Sequence, residues 1–250
     1  MKVSIHTNNG VITFKDKVLP ALGTTLVSYL KSGGSISNYV YTLCIFSGNT
    51  YLASYTGALS YCAVGSNLKL IFTFVVPQVP SGANALKLVL SNTFFAGAIA
   101  CAINVKLSGF ASALVCWILC FQFSQNDRLT PLLTFAVFGV PSQVSSRLSI
   151  GYNITKALGA IQSYGFIKSP VTINLYICGN QYTPYINITP SGQSYSISYI
   201  YIPSPNQTEI KSICLTICLC KGTVTFFKTN YPVSVIQGQT LVIQYSVVIE

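Results

Sequence analysis

The chain of 250 residues (27.0 kDa) is long enough for one large domain or two small ones, and at 51% hydrophobic and 12% aromatic it is not a disordered chain, because burial on that scale offsets the entropy of ordering. Only 7% of its residues are charged, against roughly a quarter in ordinary soluble domains. Four carboxylates (Asp16, Asp127, Glu209, Glu250) and one histidine (His6) are too few and too scattered for acid–base pairs, Ser-His-Asp triads or carboxylate metal sites, so a non-enzyme without a cofactor is expected.

The net charge of +10 reflects missing acids more than abundant bases, since the 14 Lys and Arg are dispersed from Lys2 to Lys228. A nucleic-acid partner calls for clustered cations with interleaved aromatics, so specific nucleic-acid binding is not expected. A surface made polar by Ser, Thr, Asn, Gln and Tyr loses little when acid protonates carboxylates, which suits an acidic setting.

Along the chain, no apolar run follows Lys2 in Met1-Lys2-Val3-Ser4-Ile5-His6, so no signal peptide is expected. Val18, Leu22, Leu26, Tyr29 and Leu30 recur at helical spacing and are closed by Gly33-Gly34, which predicts a short helix. Short apolar runs punctuated by Gly, Pro and Asn then predict antiparallel strands. Leu107 to Phe123 is uncharged and sits at the short limit for a membrane helix. Gln125-Asn126-Asp127-Arg128 and Pro141-Ser142 mark a loop-rich boundary. Ile154, Leu158 and Ile161 repeat the helical spacing as far as Gly165. Ser194 to Ile202 alternates Ser with Tyr or Ile and breaks at Pro203-Ser204-Pro205. Leu241, Ile243, Tyr245 and Val247 alternate with Gln244 and Ser246, again the period of a half-buried strand.

The chain also repeats itself. Ala21-Leu22-Gly23, Ser28-Tyr29 and Lys31-Ser32 match Ala157-Leu158-Gly159, Ser163-Tyr164 and Lys168-Ser169; Leu43 to Tyr51 matches Leu175 to Tyr182; Ile71 to Pro77 matches Ile197 to Pro203; Leu114-Val115-Cys116 falls on Leu241-Val242-Ile243. The separation drifts only from 136 residues (Val18 to Ile154) to 126 (Ile71 to Ile197), the trace of a tandem duplication. The expected fold is mainly β: two tandem antiparallel β-sandwich domains, each preceded by a short helix. The first copy spans 1–124, a linker 125–143, and the second copy 144–250. In this alignment Leu114 to Phe123 corresponds to a half-polar strand, so a strand is expected there rather than a membrane helix; membrane contact is not favoured.

Several strands are apolar on both faces. Trp117, Leu119 and Phe121 back onto Cys116, Ile118 and Cys120, and Ile213, Leu215 and Ile217 back onto Cys214 and Cys218. A sandwich needs one apolar face per strand, so these six residues are the candidate subunit interface, although the same residues could fill the core between the two copies. The nine cysteines are odd in number and lie mostly in apolar strands, which points to small buried hydrophobes, with Cys44 and Cys62 the candidate disulfide. No Cys-x-x-Cys pair or His cluster suggests a metal. Asn153, Asn187 and Asn206 open Asn-x-Thr sequons at about chance frequency and are candidate glycosylation sites. In the loop Tyr182-Thr183-Pro184-Tyr185, Tyr182 and Tyr185 are candidate contacts to a host receptor or glycan.

Ile12-Thr13-Phe14-Lys15-Asp16-Lys17-Val18-Leu19-Pro20-Ala21-Leu22-Gly23, with Lys31-Ser32-Gly33-Gly34 and Ser47-Gly48-Asn49-Thr50 after it, resembles the opening of virus and phage tail, fibre and baseplate structural proteins. Gln237-Gly238-Gln239-Thr240-Leu241-Val242-Ile243-Gln244-Tyr245-Ser246 is similar to their closing strand. The apolar, Cys-rich strands and scarce acids depart from that pattern and are similar instead to virion proteins of archaeal viruses from hot acid springs. The resemblance implies a ring, nozzle, spike or fibre subunit in the virion, without enzymatic activity. The reading is therefore a virion structural protein that assembles with copies of itself and with other virion proteins. The alternatives are a host-surface or carbohydrate-binding adhesin, or a subunit of an extracellular filament or pilus.

Overall fold

The computed structural model describes residues 2–15, 36–93, 96–107, 109–124, 128–148, 173–188, 194–219, 222–229 and 232–248. The chain is mainly β, with antiparallel pairing throughout its named strands. The helices expected over 18–34 and 154–165 lie outside the described residues.

The first half forms one continuous eight-stranded sheet. Its strands are β1 (Lys2–Thr7), β2 (Gly10–Lys15), β3 (Val40–Ser47), β4 (Thr50–Val64), β5 (Asn67–Val76), β6 (Ala85–Ser91), β7 (Ala98–Asn104) and β8 (Ala113–Gln122), in the order β2-β1-β8-β5-β4-β3-β6-β7. Two separate stacked sheets were expected here. They are joined because β4 is 15 residues long and changes partner midway: Thr50 to Gly57 pairs with β3, and Ala58 to Val64 pairs with β5. Gly57 sits at the changeover, where a Cβ would lie 2.4 Å from the Phe74 ring and 2.7 Å from the Thr73 carbonyl oxygen. A strand glycine is needed at such a close approach.

The period-2 pattern decides which face is buried. Leu43 and Ile45 of β3, Leu68, Leu70, Phe72 and Phe74 of β5, and Val115, Trp117 and Leu119 of β8 all point inward and are buried. That face is covered by α1 (Leu129–Phe138), a helix within the interval 125–143 that was expected to be a linker, and all ten of its residues are buried. Phe138 lies 6.1 Å from Phe72 and 6.0 Å from Phe121, ring centre to ring centre. Tyr39 donates to the Ala136 carbonyl (2.6 Å), Tyr41 to that of Phe138, and Asn92 Nδ2 to that of Val137 (3.3 Å), so side chains satisfy the carbonyls that the helix end leaves orphaned. Gly139 closes the helix at φ 61°, with Val140 N–H bonded to the Phe135 carbonyl at 2.9 Å. At its other end Thr130 Oγ1 lies 3.3 Å from the Tyr195 hydroxyl of the second half.

A 3-10 helix (Ser142–Arg147) follows, and Leu148 bridges to Gly65 beside the end of β4. The second half contains β9 (Ile173–Ile177), β10 (Asn180–Tyr182), β11 (Tyr185–Ile188), β12 (Ser194–Tyr201), β13 (Glu209–Ile210), β14 (Ile213–Leu219), β15 (Gly222–Thr229), β16 (Val233–Ser234) and β17 (Leu241–Val248). They form a four-stranded sheet β10-β9-β14-β15, a three-stranded sheet β11-β12-β17 and the short pair β13-β16. Leu175, Ile213 and Leu215 from the first sheet and Ile197, Ile243 and Tyr245 from the second line a gap of about 110 Å³ between them.

Trp117 and Leu119, expected at a subunit interface, are fully buried inside the chain, as are Leu215 and Ile217, and Phe121 and Ile213 pack partly buried against the same core. They have neighbours already: α1 covers β8, and the facing sheet covers β14. Cys44 and Cys62 are both free, like every described cysteine. Cys44 is paired with Ser54 of β4 and Lys87 of β6, whereas Cys62 is paired with Lys69 of β5, eight residues beyond Ser54 along β4, so the two occupy different places in the sheet and are not bonded. Burial pushes the Cys44 thiol pKa up, against the lowering effect of Lys87.

Candidate functional site

Where β10 and the end of β12 meet, the surface opens into a cleft of about 580 Å³. Its floor is made by three tyrosines. Tyr199 and Tyr201, two apart on β12, share the face that carries Tyr195 and Ile197 into the core. Tyr182, at the end of β10, lies 5.1 Å from Tyr199 in a tilted arrangement and 5.7 Å from Tyr201 edge to face, ring centre to ring centre. These are the separations that aromatic quadrupoles favour.

The polar groups of the cleft are held by a small network. Tyr201 donates to Gln207 Oε1 at 2.5 Å, and Gln207 Nε2 donates to the Glu209 carbonyl at 3.2 Å. Partial burial is the main cause that raises the Tyr182 phenol pKa. The Tyr201 charge and a hydrogen bond with Tyr201 act in the same direction, and a hydrogen bond with Asn180 opposes them. The hydroxyls of Tyr182 and Tyr201 and the Asn180 amide therefore converge. Glu209 and Lys211 line the same cleft and contribute one charge of each sign.

One wall is set by the β9–β10 hairpin, which turns through Cys178 (φ 50°) and Gly179 (φ 87°). Both central residues of this tight turn need positive φ, and a non-glycine residue there costs about 1–2 kcal/mol. The turn is pinned against the segment before β14: Cys178 N–H bonds to the Ser212 carbonyl (3.1 Å), and Cys178 Sγ accepts from Lys211 N–H (3.4 Å) and lies 3.8 Å from Gln207 Nε2.

Of the residues singled out in the sequence, Tyr182 is central to this cleft. Tyr185 is 75% exposed at the start of β11 and does not line it. Asn206 lies exposed in the turn between Pro205 and Gln207, Asn187 lies within β11, and Asn153 lies outside the described residues. Tyr199, Tyr201 and Gln207 were not singled out. The signal available was the Tyr-x-Tyr spacing on one face of a predicted strand. His6 projects outward from β1 between Leu114 and Val11, with no carboxylate among its cross-strand partners. Among the described residues, no three His, Cys, Asp or Glu side chains are placed to hold a metal ion, and no helix is long and apolar enough to cross a membrane.

The fold and cleft define an antiparallel β-protein with a tyrosine-lined surface site. Over 249 residues it is 32% identical to ORF258, an uncharacterized protein of Acidianus filamentous virus 2 (isolate Italy/Pozzuoli), covering 98% of this chain and 95% of the relative. The chain belongs to the same family as that viral protein, and its kinship is with an archaeal virus. No family model and no solved structure matches it.

Proposed function

We propose that the chain is a structural protein of the virion, a non-catalytic subunit of a symmetric assembly such as a tail, nozzle, spike or fibre. The observation that carries this reading is a row of three exposed apolar side chains and one histidine on the outer face of the first sheet. Val75, Leu114, His6 and Val11 are successive cross-strand partners on β5, β8, β1 and β2. Val75 is 66% exposed, Val11 59% and Leu114 38%. On the same face, beyond the intervening row of Thr73, Cys116 and Ser4, Ile71 and Ile118 are paired and partly exposed. Outward apolar side chains in register offer a surface suited to a second copy of the chain. The viral kinship and the scarcity of acid–base groups agree with a role in assembly.

The strand order supports descent of both halves from one duplicated unit. In the first half it runs β8-β5-β4-β3-β6-β7; in the second β17-β12-β11 and β10-β9-β14-β15, with β11 and β10 in the places of the two halves of β4. The breaks match too. β4 changes partner at Gly57, and its counterpart is interrupted at Thr183-Pro184.

The test is the native mass of the purified chain in detergent-free buffer. The expected result is a discrete multiple of 27.0 kDa that falls to the monomer in Leu114→Glu and Val75→Glu. A wild-type chain that stays at 27.0 kDa overturns the assembly reading.

A further inference from the structure

We propose that the cleft between β10 and the end of β12 is a binding site for a neutral oligosaccharide. The site is built from residues of the second half, none of them in the row on the first sheet, and does not depend on the assembly reading.

Its size, about 580 Å³, falls in the range of roughly 300–1,000 Å³ that small-molecule sites occupy, and it admits a short chain of sugar rings. A pyranose presents flat C–H faces and an equator of hydroxyls, and the cleft offers the complement of both. Tyr182 and Tyr199 provide ring faces that are only partly buried, and Ile202 (69% exposed), just past the end of β12, adds apolar surface at the edge of the cleft. Phenols both donate and accept, amides do so through separate atoms, and all match the dual character of a sugar hydroxyl.

The charge pattern selects a neutral ligand. Lys211 and Glu209 cancel, so a phosphate, a sulfated glycan or a nucleic acid would find no cluster of cations to neutralise it. The floor is pre-formed: Tyr201 is buried and tied to Gln207, and the Cys178 turn holds a backbone conformation that only its surroundings impose. Strained residues of this kind cluster at ligand sites. With Tyr201 and Gln207 already held, the site loses less side-chain entropy on binding.

The experiment is saturation-transfer NMR and titration calorimetry on the full chain with maltotriose, mannotriose and chitotriose, alongside heparin as a polyanion. The variants are Tyr199→Ala, Asn180→Ala and, outside the cleft, Tyr185→Ala, each checked for native circular dichroism. Saturation is expected to pass from tyrosine rings to sugar C–H protons for at least one trisaccharide. Asn180→Ala is expected to weaken that binding about fivefold, as loss of one hydrogen bond does. Tyr199→Ala should remove it, and Tyr185→Ala should leave it unchanged. Asn180 is exposed at the rim, so its variant keeps the test open if Tyr199→Ala does not fold. No transfer to any of the three sugars, equal binding in wild type, Tyr199→Ala and Asn180→Ala, or tighter binding of heparin than of every trisaccharide overturns the proposal.

Discussion

At the residue scale, Gly57 shows how one missing side chain sets the shape of a sheet. Its backbone lies against the Phe74 ring and the Thr73 carbonyl, and Phe74 is fully buried and has no room to withdraw. Gly57→Ala is expected to destabilise the chain by about 1–3 kcal/mol, the usual cost of overpacking a filled core, read as a lower midpoint in urea. Sequence alone did not single out Gly57, because the close approach comes from the neighbouring strand. The tyrosines of the cleft were half legible for the same reason. Tyr182 stood out beside Thr183-Pro184, whereas Tyr199 and Tyr201 gain their meaning only from β10 lying across them.

At the scale of elements, strands were readable and the buried helix was not. β12 and β17 follow the alternation of Ser194–Ile202 and Leu241–Val247 closely, because each has one face more sheltered than the other. α1 has no such contrast. Leu-Thr-Pro-Leu-Leu-Thr-Phe-Ala-Val-Phe is buried on every side, so it carries neither a polar stripe nor charged ends, and loop-forming residues flank it. Trp117 and Leu119, interface candidates that could equally fill a core, are buried on the sheet face where Phe138 of this helix packs against Phe72 and Phe121. The helix end depends on borrowed donors. Tyr41→Phe leaves the buried Phe138 carbonyl without the hydroxyl that satisfies it and is expected to cost about 1–3 kcal/mol, measured by the same urea midpoint.

At the scale of the molecule, the balance of titrating groups predicts an asymmetric response to pH. Burial raises the pKa of Tyr39 from 10.0 to about 12, and burial together with the Tyr39 charge raises that of Tyr41 further. A raised folded-state pKa contributes stability that is complete below pH 10 and is lost as pH climbs through the folded value, so melting temperature should fall steeply between about pH 10 and 12. On the acid side the chain has four carboxylates and one histidine, so few protons distinguish the folded from the unfolded state. Thermal melts from about pH 2 to 7 should therefore differ little. A sharp acid transition in that range would contradict this account.

The placement of α1 sets the order of packing against the order of synthesis. Every strand of the eight-stranded sheet is complete by Gln122, yet the helix that covers its inward face begins only at Leu129. A chain growing from its N-terminus thus carries Phe72 and Phe121 without their Phe138 neighbour until the helix has followed. The same helix then touches Tyr195 of the second half, so closure of the first core and docking of the second share one element. The two halves are built from similar strand orders, and the segment that joins them serves as interior to the one already made and as a contact for the one still to come.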